Sequence, residues 1–423
     1  MRKLQKLAAG ALEDVLEGAA LHQVLPRRLQ QLDTPGERGA LQDIVYGSLR
    51  QLGRLDVWLN ALLERPLTDP QLGWLLRVAL YQLAYTRAPA HAVVHNAVTA
   101  AGEGWRRGLA NAVLRNFQRR RAELEQLANE QPAGRWSHPD WWIRKLQDEH
   151  PEHWQTILEA SLQHPPFTLR VNACHGDVAG YLQRLAEAEL PARQTGPDAV
   201  TLDKAVSVHS LPGFDQGHVS VQDAGAQWAA RLLDAQPGER VLDACAAPGG
   251  KTGHILERVA VNSGAVALTA LDVDGTRLGR VKENLDRLGF SATLVEGDAA
   301  NPAVWWDGQP FDRILADVPC SASGVVRRNP DIKWLRRAED IAQFASQQAV
   351  MLARLWPLLA RGGTLLYATC SIFNEENDGQ VSAFLAQHSE DAERCELPAP
   401  LTDGSLLPNA EHDGFYYALL RKK

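Results

Sequence analysis

Val241-Leu-Asp-Ala-Cys-Ala-Ala-Pro-Gly-Gly-Lys251 passes from an apolar run into a loop with two adjacent glycines, and a helical pattern follows it. Similar apolar runs stand at 240–244, 265–272, 292–296, 312–317, 363–368 and 415–420, most of them separated by helix-length segments. Such strand–helix alternation predicts an α/β domain from about residue 223 onward, with a mainly parallel sheet covered on both faces. In open sheets of this kind ligands bind outside the carboxyl ends of the strands. Those ends carry Asp243, Gly249-Gly250, Asp272, Asp298 and Asp317 in order, and Cys320 and Cys370 lie just beyond two of them.

The segment Cys245-Ala-Ala-Pro-Gly-Gly-Lys-Thr252 differs from the phosphate-binding pattern G-x-x-x-x-G-K-[ST] only at its first position. A nucleotide triphosphatase therefore stays open as a rival, with Asp317 as its magnesium-holding aspartate. Two cysteines in polar turns have no place in that chemistry, and neither does Asp272. Asp272 follows Gly250 by 22 residues, the spacing at which a carboxylate takes ribose hydroxyls. A ribose-binding carboxylate without G-x-G-x-x-G implies a nucleoside cofactor that lacks phosphate, and S-adenosylmethionine fits. The expected cofactor-binding set is Cys245, Ala246, Ala247, Pro248, Gly249, Gly250, Lys251, Asp272, Asp298 and Asp317. The glycine pair would admit the cofactor's methionine part without a Cβ clash.

Of the five cysteines, Cys174 and Cys395 read as inert small hydrophobes, and Cys245 as packing beneath the loop. Cys320 in Asp317-Val-Pro-Cys-Ser and Cys370 in Ala368-Thr-Cys-Ser differ, because each follows a strand and opens a polar turn. A thiolate adding to carbon 6 of a pyrimidine converts carbon 5 into an enamine-like nucleophile. One cysteine suffices for the attack and a second can assist release. A free thiol with a pKa of about 8.5 is mostly protonated at neutral pH, so the attacking group needs activation. Lys251 is one candidate for it, and Asp317 is placed to meet the N3 edge of a cytosine.

The whole chain has 423 residues, 45% apolar and 22% charged, which calls for two or three ordinary globular domains. An odd cysteine number without C-x-x-C excludes a disulfide framework and a paired-cysteine zinc site. No segment has the length of apolar sequence a bilayer needs, so neither a membrane nor a metal is expected, and a reducing cytoplasm fits. Residues 1–150 carry 20 Lys and Arg against 16 Asp and Glu, so the net charge of −7 does not exclude an RNA partner. Apolar stripes at 40–52, 55–63, 71–85, 91–101 and 109–119 predict an all-helical domain over 1–128. Linker helices and a small α+β subdomain are expected over 129–222, with short strands at 167–172, 200–202, 207–209 and 219–221, and the catalytic domain over 223–423.

The motifs of the catalytic half resemble those of the NOL1/NOP2/Sun family of RNA cytosine-5 methyltransferases. Asp243–Thr252 is similar to its cofactor motif, Asp317-Val-Pro-Cys-Ser-Ala-Ser-Gly to its first cysteine motif and Tyr367-Ala-Thr-Cys-Ser to its second. Arg170-Val-Asn172, Val221-Gln-Asp223, Arg327-Arg-Asn-Pro-Asp-Ile-Lys-Trp334, Glu376-Asn377 and Asp413-Gly-Phe-Tyr416 match as well. The resemblance implies a Rossmann-like S-adenosylmethionine methyltransferase domain with a mostly parallel seven-stranded sheet. It further implies Cys370 as the nucleophile and Cys320 as the residue that assists adduct release.

Pro89-Ala-His-Ala-Val-Val-His-Asn-Ala-Val98 and Leu109-Ala-Asn-Ala-Val-Leu-Arg115-Asn-Phe resemble a NusB-like RNA-binding domain. The fusion of the two is similar to that of enzymes that methylate a cytosine of small-subunit (16S) ribosomal RNA, here as a monomer. Arg170, Asn172, Arg327, Arg328, Lys333, Arg115 and Arg119 are the expected RNA contacts. An RNA-binding regulator with a silent methyltransferase fold is the second rival.

Overall fold

The computed structural model describes all 423 residues, which divide into two compact units. One comprises Met1–His164 together with Val326–Ala338, the other Pro165–Val325 together with Glu339–Lys423. Residues 129–222, expected as a middle part, are thus shared between the units. No helix is long and apolar enough to cross a membrane.

The first unit is helical. Seven helices run from Arg2–Leu16 to Trp105–Arg119, and four shorter ones follow up to Trp154–Leu162. Local chemistry sets several starts: Thr34 and Glu37 form a capping box ahead of Pro35–Arg50, and Asp69 caps Pro70–Tyr85 through Leu72 N. The apolar stripe at 40–52 is broken at Gln51, where one helix ends and Leu52–Leu62 begins. The reason is tertiary. The carbonyls of Leu49 and Arg50 accept from Trp334 Nε1 (2.7 Å) and Lys333 Nζ (2.9 Å) of the 326–338 segment.

The second unit begins with four short strands, β1 (Phe167–Val171), β2 (Ala192–Gln194), β3 (Ala199–Leu202) and β4 (Val219–Val221). They form an antiparallel sheet in the order β2-β3-β1-β4. β2 was not anticipated. The strand expected at 207–209 is instead a 3₁₀ turn, Val208–Ser210, because Ser210 donates both its amide and its hydroxyl to Ser207 O.

The main sheet contains β5 (Arg240–Ala244), β6 (Ala267–Asp272), β7 (Thr293–Glu296), β8 (Phe311–Asp317), β9 (Leu359–Thr369), β10 (Ala392–Arg394), β11 (Ser405–Leu406) and β12 (Phe415–Lys422). Seven strands lie in the order β10-β12-β9-β8-β5-β6-β7, and β11 pairs with β12 outside that path. β5 to β9 are parallel, whereas β10 and β11 each pair antiparallel to β12, which itself runs antiparallel to β9. The strands alternate strictly. Leu242, Ala244, Ile314, Ala316, Leu365 and Tyr367 pack on one face, and Val241, Leu315, Leu366 and Ala368 on the other. The expected Rossmann-like architecture is therefore present. The chain leaves β5 for β6 and β7, then returns to β8 on the opposite side. The carboxyl end of β5 is the switch point at which such folds bind ligands.

Candidate active site

The loop after β5 is shaped by two residues in the left-handed region, Cys245 (φ 64°) and Gly249 (φ 91°). A Cβ on Gly249 would stand 3.0 Å from the Cα of Val281, so the close approach of helix Gly275–Leu288 requires glycine there. The loop amides point into the protein: Ala246 N donates to Leu271 O (2.8 Å), Ala247 N to Asp272 Oδ2 (3.0 Å) and Gly249 N to Ala246 O (2.7 Å). A phosphate cradle needs such amides free and converging on an anion. The Ala246, Ala247 and Gly249 amides are taken here, and Lys251 is paired with Asp317 at 2.5 Å, which counts against the triphosphatase reading.

Asp272 is buried and anchors the loop. Besides Ala247 N it accepts from Asp274 N (3.1 Å) and from Arg277 NH1 (3.3 Å), while Arg277 NH2 reaches Ala247 O (3.1 Å). Arg277 escaped the sequence reading; its place in the first turn after Asp272 was the available signal. A cavity of about 470 Å³ opens at this end of the sheet. Cys245, Asp272 and Asp298 line it, together with Arg277, Pro319 and Met351. Ala246, Ala247, Pro248, Gly249, Gly250, Lys251 and Asp317 do not line this cavity and build its neighbouring loop and strand end.

Beneath the loop, Asp243 is fully buried and accepts from Thr252 Oγ1 (2.6 Å), while its Oδ1 has no hydrogen-bond partner. Burial pushes its carboxyl up to about 7, only partly opposed by the Thr252 bond, and Asp317 adds to the rise. The Cys245 thiol is likewise raised, first by burial and then by the surrounding aspartates, which suits its expected role as packing.

Cys320 and Cys370 converge from the ends of β8 and β9, and their sulfurs lie 3.3 Å apart, hydrogen-bonded without a disulfide. The Cys320 thiol is held well above its ordinary range, first by its hydrogen bond with Cys370, then by burial and by the charge of Cys370. Lys251 remains a cation: burial lowers it, but Asp317 more than offsets this and Cys370 adds to the rise. Cys320 therefore keeps its proton, and the Lys251 ammonium lies in the same charge cluster. Gly324 N donates to Cys370 O (2.8 Å), which ties the two turns together. Sequence reading named Glu376 among the matching residues but gave it no role. The buried carboxylate of Glu376 accepts from Ser321, Ser371 and Gln348, as described below.

Four of the expected RNA contacts need correction. Arg170 is fully buried, with Nε and NH2 on Glu257 (2.9 and 2.6 Å) and NH1 on Gln222 Oε1 (2.6 Å) and Gly250 O (2.8 Å). It braces the start of helix Gly250–Ala260. Asn172 is buried too, donating to Gly217 O and accepting from Cys174 N. Arg327 and Lys333 are buried in the helical unit, where Arg50 NH2 bonds Arg327 O (2.9 Å) and Lys333 Nζ bonds Arg50 O. None of the four presents charge or amide to solvent. Arg328 is half-buried, and Arg115 and Arg119 are exposed on helix Trp105–Arg119.

The profile described as 16S rRNA methyltransferase RsmB/F matches residues 230–421, the ferredoxin-like domain of RsmF/B-like methyltransferases matches 138–209, and the NusB family matches 2–119. Ribosomal RNA small subunit methyltransferase B of Escherichia coli O127:H6 is 48% identical over 432 aligned residues, covering 100% of this chain and 99% of the relative. The chain belongs to the RsmB/F family of 16S rRNA methyltransferases. The Shigella boydii protein of the same name matches equally well. Among solved structures, PH0851 superposes with a TM-score of 0.77 at 24% identity, covering 99% of both chains. NSun6 from Pyrococcus horikoshii, solved with SFG, gives 0.59 at 21%, covering 67% of this chain and 98% of that one. These two show likeness of fold alone, and the helical NusB-like domain rests on the family match at residues 2–119.

Proposed function

We propose that the protein transfers a methyl group from S-adenosylmethionine to carbon 5 of a cytosine in 16S ribosomal RNA, through a covalent bond between Cys370 and carbon 6. The observation that carries this reading is the sulfur pair at 3.3 Å beside Lys251 and Asp317. The cavity lined by Asp272 and Asp298, with Arg277 paired to Asp272, fits a nucleoside cofactor. Asp272, Asp298 and the Cys245–Lys251 loop would hold it. Bound there, S-adenosylmethionine supplies an electrophilic methyl group for carbon 5.

The residues of the chain account for the rest. Cys370 attacks as a thiolate, adding to carbon 6 and sending the electron pair to carbon 5, with the Lys251 ammonium and the Cys320 thiol in the same site. Asp317 meets the N3 edge, favouring the protonated ring. Once the sulfur of Cys370 is bonded, its hydrogen bond and charge no longer raise the Cys320 thiol, while burial and the charge of Glu376 still do. Cys320 first gives its thiol proton to water; its thiolate then takes the carbon 5 proton, the C–H electron pair forms the C5=C6 double bond, and Cys370 leaves with the S–C6 pair as a thiolate. Arg115, Arg119 and Arg328 are the RNA contacts retained in this reading. A monomer working in the cytoplasm, without metal, completes the proposal.

The test is labelled methyl transfer to small-subunit RNA followed by nucleoside analysis, with two variants. Cys320→Ala is expected to accumulate an RNA–protein adduct and Cys370→Ala to form none. The opposite pattern would exchange the roles, and label on any other nucleoside atom would end the reading.

A further inference from the structure

Glu376 lies in a 3₁₀ turn after β9 and is fully buried. An ionised carboxylate out of water is costly unless hydrogen bonds replace its hydration. Glu376 has four: Ser321 N (2.7 Å) and Gln348 Nε2 (3.0 Å) donate to Oε1, and Ser321 Oγ and Ser371 Oγ (2.5 Å each) to Oε2. All four donors are neutral. Their positions are the informative part. Ser321 follows Cys320, Ser371 follows Cys370, and Gln348 Nε2 also donates to Pro319 O (3.0 Å), just before Cys320. The turn that presents the carboxylate is itself fixed, because Tyr367 OH donates to Glu376 O (2.7 Å) and Asn377 bonds both Thr369 Oγ1 and Ser371 O.

We propose that Glu376 is the positioning residue of the thiol pair: one carboxylate, by gathering donors from both cysteine turns, holds Cys320 Sγ and Cys370 Sγ in contact. The inference rests on the reading of these two cysteines as the reacting pair, but the holding itself requires neither RNA nor cofactor. Glu376 touches no reacting atom. It acts through Ser321 and Ser371.

A trivalent arsenical measures the holding directly, since one arsenic atom bridges two thiols only when they stand side by side. Phenylarsine oxide and the two thiols give two As–S bonds and one water. In a background with Cys174, Cys245 and Cys395 replaced by serine, the full-length chain is expected to take one phenylarsine oxide, and none after Cys370→Ser. Glu376→Gln keeps the shape but puts an amide where a carboxylate oxygen collects two hydroxyls. It is expected to weaken arsenical binding by about tenfold or more, the usual scale for losing a group that orients a ligand, with the thermal midpoint little changed. Ser371→Ala, which removes one arm, moves binding the same way by less and decides the matter if Glu376→Gln does not fold.

In methyl transfer the Glu376→Gln variant lowers kcat and leaves KM for the cofactor unchanged. A background protein that takes no arsenical, or a folded Glu376→Gln that binds it like the parent, overturns the proposal. Arsenical results as expected, but no methyl transfer to cytosine by any form, would instead refute the functional reading alone.

Discussion

Asp243 offers a test of the site's electrostatics that needs no substrate. Its carboxyl moves from 3.8 in the free residue to about 7 in the folded chain because burial penalises the charge, and the one bond from Thr252 does not compensate. A raised folded pKa means that the native state binds the proton more tightly than the unfolded state does. The stability it contributes is complete below about 3.8, falls as pH rises, and is gone above about 7. Between about pH 5 and pH 8 this amounts to roughly two units, or about 3 kcal/mol. Asp243→Asn mimics the protonated acid and lacks the titration, so it serves as the reference. Histidines such as His254, lowered to about 3 first by burial and then by Arg170, titrate in both proteins and cancel in the comparison. Hydrogen exchange of peptides spanning 240–260 reports opening of this unit without mixing in the helical one. The protection of wild type relative to Asp243→Asn is expected to fall about 100-fold from pH 5 to pH 8. A ratio constant within about threefold would show that Asp243 is already ionised at pH 5, and the burial argument would be wrong.

Arg170→Met leaves Glu257 buried without its cation and is expected to lower stability by about 3–5 kcal/mol in urea unfolding. Because Arg170 braces Gly250 O, cofactor affinity falls as well, whereas the salt dependence of RNA binding stays as in wild type; a shallower salt slope would return Arg170 to the RNA interface. Gly324→Ala places a Cβ 2.3 Å from Gly414 O, between two backbone bonds that join the first cysteine turn to Cys370 and to Gly414. Overpacking of this kind costs about 1–3 kcal/mol, and methyl transfer should be lost well before the fold, read by comparing thermal midpoint with activity.

The strand ends and the two cysteines were legible because they rest on local pattern. An apolar run with period two, closed by a polar turn, signals a strand end wherever it occurs. Leu315 and Leu366 on one face against Ile314 and Leu365 on the other needed no tertiary information. The 3₁₀ turn at Val208–Ser210 and strand β2 were not legible. The helix break near Gln51 was expected between the stripes at 40–52 and 55–63, but not the contacts there, in which Lys333 and Trp334 reach backbone carbonyls some 280 positions away in sequence. Charge misled in the same way. An arginine or lysine in a sequence looks like surface, yet Arg170, Arg327 and Lys333 are each buried inside the protein.

Periodicity, turn residues and strand-end chemistry act over a few residues, so the chain alone dictated a parallel sheet, a glycine loop, an ordered row of aspartates and two cysteines at strand ends. Whether those cysteines touch, which keeps its proton, and which cations are structural depended on long-range approach. Ser321 and Ser371 meet on Glu376 only after β8 and β9 have paired, and Arg170 finds Glu257 only when the small sheet packs against helix Gly250–Ala260. Burial turns a charge from a surface group into a fixed strut, and burial is a property of the assembled core.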